Sequence, residues 1–125
     1  MTGDRSGMNG NRLIVELSFL TTDEGGRSSA ANLADGRYRP LVLLGSHHEL
    51  LQMPTTEAEA EKIGLFGVVF YGGPPAVAPG TTATAELSVP IYDQGYDRIN
   101  QTRRFTLLEG RRIVGHGRVR GIGKE

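Results

Sequence analysis

From Leu13 the chain alternates, with Leu13, Val15, Leu17 and Phe19 on one side and Ile14, Glu16, Ser18 and Leu20 on the other. A two-residue period is that of a half-buried strand. The run Thr22-Asp23-Glu24-Gly25-Gly26-Arg27 ends it, because paired glycines adopt positive φ without steric cost, and the small polar stretch from Ser28 to Gly36 continues as loop. A second strand is predicted over 39–44, with Pro40, which donates no ladder hydrogen bond, at its start or edge. Thr56 with Glu59 three residues later has the spacing of a capping box, and the Ala and Glu residues around it predict a helix of one to two turns over 56–62. Leu65 to Tyr71 predicts an apolar strand stopped by Gly72-Gly73-Pro74-Pro75. Over 82–89, Thr82, Thr84, Glu86 and Ser88 alternate with Ala83, Ala85, Leu87 and Val89, so one face is wet. The runs 103–108 and 113–122 flank Glu109-Gly110-Arg111 and predict a hairpin with a Gly-bearing turn. On its second arm, alternation places His116, Arg118 and Arg120 on one face and Ile113, Gly115, Gly117 and Val119 on the other. Six short strands and one small helix predict an all-β fold, a closed antiparallel barrel or a sandwich.

With 125 residues the chain has room for one domain and one core. Residues 1–11 hold three Gly, two Asn and no aliphatic side chain, which predicts a flexible tail before a barrel domain over 12–122 and a short C-terminal tail over 123–125. The absence of cysteine removes disulfides, thiolate nucleophiles and Cys-ligated zinc together. No apolar run is long enough for a signal peptide or a membrane span, and a cytoplasmic setting is expected.

Candidate chemistry is sparse. His47-His48-Glu49 is the one cluster of ligand-type side chains, but neighbours on a strand point to opposite faces, so no metal site is expected. His116, between two glycines, is expected at the surface or in packing. No serine lies in a Gly-x-Ser-x-Gly turn, and neither Gly72-Gly73-Pro74-Pro75 nor Gly115-His116-Gly117 opens a helix or carries the Gly-Lys-Ser/Thr of a phosphate loop. No catalytic residue, nucleotide or other cofactor is therefore expected. Glu57, Glu59 and Glu61 read as a solvated helix face. Charge is zero overall but unevenly placed: from residue 95 onward seven Arg and one Lys face Asp97, Glu109 and Glu125. With twelve Arg and two Lys in the chain, guanidinium forks suited to phosphate or carboxylate are concentrated there.

Three segments, in order, resemble the C-terminal β-barrel domain of elongation factor Tu. They are Thr22 to Arg27 followed by Gly36-Arg37-Tyr38-Arg39-Pro40, then Pro79-Gly80 before an alternating strand, then the run from Arg104 to Gly117 with Glu109-Gly110-Arg111-Arg112 at its turn. The likeness covers about residues 13 to 122 and implies a closed six-stranded Greek-key barrel, with the helix near Glu57 and the stretch Asn100 to Arg103 as insertions. It also implies a non-enzymatic binding module that contacts tRNA or a translation-machinery protein, without the GTPase domain of the parent factor. A protein–protein adaptor barrel with no RNA role is the alternative. By resemblance Arg27, Glu109 and Gly110 belong to the ligand-facing region, and the nearby arginine surplus adds Arg112. The competing structural role for Arg27 and Arg112 is to fasten turns to the barrel through Glu24 or Glu109. Ser28, Leu41 and Thr84 stand where the family has His, Gln and Lys, so fewer polar contacts to a phosphate backbone are expected.

Overall fold

The computed structural model describes residues 12–47, 52–89 and 93–122. The two expected tails, along with His48 and Glu49, lie outside them. Strands β1 (Arg12–Phe19), β2 (Leu41–Leu44), β3 (Leu65–Gly67), β4 (Val69–Gly72), β5 (Thr82–Ser88), β6 (Arg104–Glu109) and β7 (Arg112–Ile122) form one antiparallel sheet in the order β3-β2-β6-β7-β1-β5-β4. The apolar run expected as a single strand is thus divided at Val68, and its two halves are the outermost strands of the sheet. The sheet is curled, and these two outermost strands are joined in sequence by the single residue Val68. Val68 and Phe70 donate their amides to the carbonyls of Pro40 and Tyr38, the segment leading into β2.

The alternating residues of β1 enter the core as the sequence requires: Leu13, Val15 and Leu17 are wholly buried, together with Val42, Phe70, Leu87, Phe105 and Leu107 inside the curl. Gly117 opposes Phe105 across β6 and β7, and a Cβ there would stand 2.3 Å from the Phe105 ring. The glycine is therefore a seat for the aromatic ring. The strict alternation expected on β7 is also interrupted. Leu107 faces Gly115 while Leu108 faces Ile113, so Val114 is the extra residue of a bulge. Ile113 consequently joins Leu43, Leu65 and Leu108 in a second cluster on the outer face, and Val114 turns into the main core.

Among the described residues there are two α-helices where one was expected. α1 (Glu57–Ile63) covers the outer cluster through Ala60 and is capped as read, with the Glu59 amide donating to the Thr56 hydroxyl, 3.1 Å. The carboxylate of Glu59 reaches back one residue further than a capping box demands, accepting from the Thr55 amide at 3.0 Å. The second helix, α2 (Asp93–Thr102), buries Ile99 in the main core at one end of the barrel-like sheet. Its Gly, Asp and Asn residues have low helix propensity, and this hid it from the sequence. Packing decides instead: Gly95 sits against Phe66 and Val89, where a side chain would meet both. α2 ends at Arg103, whose φ of 72° is the left-handed cap conformation glycine usually supplies, at a cost of about 1 kcal/mol. The opposite end is closed by the loop 28–36, where Ala31 and Val77 exchange backbone hydrogen bonds and Leu33 is wholly buried. Pro74 of the breaker run accepts from the Leu33 amide, so that run anchors the loop. No helix among the described residues is long and apolar enough to cross a membrane.

Candidate binding corner

The loop after β1 builds a small closed frame. The Thr21 hydroxyl accepts from the Glu24 amide at 3.1 Å, and the Glu24 carboxylate accepts from the Thr21 amide at 2.8 Å, a reciprocal capping box over a single 3-10 turn (Thr22–Glu24). Gly25 reverses the chain at φ 96°, the Gly26 amide returns to the Thr21 carbonyl, and the Thr22 hydroxyl donates to the Arg27 carbonyl at 2.8 Å. A Cβ on Gly26 would fall 2.4 Å from the Leu20 carbonyl oxygen, so only glycine allows the frame to close. This frame delivers Arg27 to the tip of the last hairpin.

There, Arg27 donates from Nη1 to Glu109 Oε2, from Nε to the Ser29 carbonyl at 3.1 Å and from Nη2 to the Ala30 carbonyl at 3.3 Å. Its guanidinium lies 5.2 Å over the ring of Tyr38, whose hydroxyl donates to the same Glu109 oxygen at 2.7 Å. The Tyr38 ring in turn stacks on Phe70 with centroids 5.8 Å apart and leans on Phe19, which ties the corner to the core. The second Glu109 oxygen lies 4.0 Å from Arg112, a loose pair with an Arg side chain 58% exposed. Gly110, at φ 61°, makes the turn between them.

Burial, helped by the hydrogen bond and charge of Glu109, pushes the Tyr38 phenol well above its ordinary pKa. Burial alone would loosen the proton on Arg27; the Glu109 hydrogen bond and charge outweigh it and hold the guanidinium more firmly charged than usual. The arrangement is a triad in which one carboxylate answers an arginine and a phenol.

All four residues singled out in the sequence, Arg27, Glu109, Gly110 and Arg112, come together here from positions up to 85 residues apart. They divide by role. Arg27 and Glu109 satisfy each other, as the fastening role requires, with Glu109 and not Glu24 as partner. Gly110 and Arg112 face outward. Tyr38 is the member sequence reasoning missed, although it stands in the Gly36 to Pro40 segment already set apart by its resemblance. Elsewhere, His47 is occupied with its own chain: its ring Nε2 bonds the Leu44 carbonyl at 2.9 Å and its amide bonds the buried Thr106 hydroxyl. No group of three or more metal-ligating side chains is assembled among the described residues. His116 is half-buried between Ser18 and Thr106 in the sheet register. Compared with protein-family models and with curated proteins, the chain matches none.

Proposed function

We propose that this chain is a non-enzymatic, cytoplasmic binding module of the elongation factor Tu C-terminal type, contacting tRNA or a translation-machinery protein with the tip of its last hairpin. The observation that supports this is the convergence on one braced corner of Arg27, Glu109 and Gly110, the positions carried by the resemblance, with Arg112, which the arginine surplus added. A turn held by a part-buried ion pair and an aromatic stack is ordered before it meets a partner, which lowers the entropy cost of binding. On the same reading β3 and β4 act as one strand running through Val68, and the sheet is a closed six-stranded Greek-key barrel.

The adaptor reading, with no RNA role, is favoured by a separate observation. Arg27 has committed its donors to Glu109, Ser29 and Ala30, so the arginine that the resemblance carries has little left to give a phosphate. Affinity capture from native extract, with and without ribonuclease, tests the two. A tRNA-bridged partner is lost on treatment, whereas a directly bound protein stays. Capture of neither, from extract in which the bait is folded, overturns the binding-module reading.

A further inference from the structure

At the other end of the same hairpin three local rules are broken within a few residues. Arg104 on β6 stands directly opposite Arg118 on β7, a like-charge cross-strand pair of the kind sheets avoid. On β1, Ile14 faces Gly121 while Val15 faces Val119, so Arg120 is the extra residue of a second bulge. Arg103 holds a left-handed conformation that glycine would adopt more easily. Broken rules that cluster without a packing benefit mark places where a side chain is kept for what it contacts.

What they gather is charge. Arg103, Arg104, Arg118 and Arg120 are all exposed. The carboxylate that the described ion pairs place among them is Glu16, with Oε1 2.9 Å from Arg118 Nε and Oε2 3.8 Å from Arg120 Nη1. Arg103 bonds only the neutral Asn100 side chain, and no carboxylate among the described residues pairs with Arg104. Among the described residues, ion pairs thus answer two of the four guanidiniums, both through Glu16. The adjoining outer face of β1 and β5 carries Ser18, Thr82 and Thr84, hydroxyls of the sort that bind phosphate oxygens. The apolar side chains described at this end are Ile122, exposed but last on β7, beyond the arginines, and Ile14, half-buried, so neither stands out among the arginines as the anchor a protein partner would need.

We propose that this patch, built by the α2 end of β6, β7 and β1, is a contact surface for the phosphodiester backbone of RNA. It rests on the binding-module reading but moves the phosphate contact away from the Arg27 corner. Successive side chains on one strand face lie about 7 Å apart and neighbouring strands about 5 Å apart, so the four guanidiniums spread over several phosphates and do not converge on one. Such contact is read as charge and is lost with salt.

Fluorescence anisotropy with labelled bulk tRNA at 50 to 200 mM salt tests it, with wild type, Arg104→Gln/Arg120→Gln, Arg104→Lys/Arg120→Lys and Arg112→Ala compared. The Gln pair is expected to weaken binding at least tenfold at low salt and to reduce the salt slope by about 1.5. The Lys pair keeps that slope. Melting curves establish that each variant is folded, and poly-glutamate of matched charge is expected to compete poorly. Wild-type affinity and slope in a folded Gln pair overturn the patch. If Arg112→Ala alone weakens binding, the corner stands and the patch falls; if only the Gln pair does, the reverse holds. A wild-type protein that ignores tRNA yet captures a protein overturns the patch and leaves the binding module intact, as does competition by poly-glutamate equal to that by RNA.

Discussion

The β6–β7 hairpin ends in two ways. At its turn, one carboxylate is shared by Arg27, Tyr38 and Arg112, and the surrounding carbonyls take up what Arg27 has left. At its open end, Glu16 is shared by Arg118 and Arg120, while Arg103 and Arg104 pair with no carboxylate among the described residues. The first region is electrostatically closed and part-buried, with the Arg27 and Glu109 side chains 21% and 27% exposed. The second is open to water, with Arg118 and Arg120 half exposed. Ion pairs out of water with additional hydrogen bonds support a fold, while exposed ones contribute at most about 1 kcal/mol and are screened. Arginine enrichment alone does not separate the two uses; the partners of each guanidinium do.

The contrast can be broken most severely at the closed end. Gly26→Ala drives a methyl into the Leu20 carbonyl, and is expected to cost about 3 kcal/mol, read as a fall of roughly 10 °C in melting temperature. Glu109→Gln leaves Arg27 facing a neutral amide and is expected to cost about 2 kcal/mol in urea unfolding. Tyr38→Phe removes one hydrogen bond to that carboxylate, at about 1 kcal/mol, and gives a pH signature as well. The phenol's pKa is raised on folding, so its contribution is whole below the unfolded value of about 10 and is lost as pH rises beyond it. Melting temperatures of wild type are accordingly expected to fall more steeply above pH 10 than those of Tyr38→Phe; parallel curves would break the assignment. The smallest effects lie on exposed arginines. Arg112→Ala should change stability by less than about 0.5 kcal/mol, and Arg104→Gln, which relieves its repulsion with Arg118, should raise it by a few tenths.

Much of this was legible in advance. The periodicity of β1 and β5 named their buried faces correctly, and the Thr56 cap located α1, because strand period and cap chemistry are local. α2 was illegible because what makes it a helix is the site it fills with Ile99, against the preference of Gly95 and Asn100. The bulge at Val114 was equally hidden: a one-residue shift leaves no compositional trace, yet it sends Ile113 to the opposite face. In the corner, the resemblance singled out Arg27 and Glu109 but left Glu24 and Glu109 open as fastening partners, because the choice is made only when residues 82 positions apart are folded together. The open patch was half visible, since His116, Arg118 and Arg120 were placed on one face by alternation, while Arg104 joined them through the register of β6 against β7.

Val68, between the two outermost strands, governs how the molecule meets other copies of itself. Sheet rims are adhesive because their free amides and carbonyls can recruit a foreign strand. Here the rim strands β3 and β4 are tethered through the single buried residue Val68, and the amides of Val68 and Phe70 are already taken by Pro40 and Tyr38. Lengthening that tether by a flexible insertion after Gly67 would free both rims together and is expected to yield higher-mass species on gel filtration. The same insertion after Gly80, in an exposed turn, leaves the elution volume as it was.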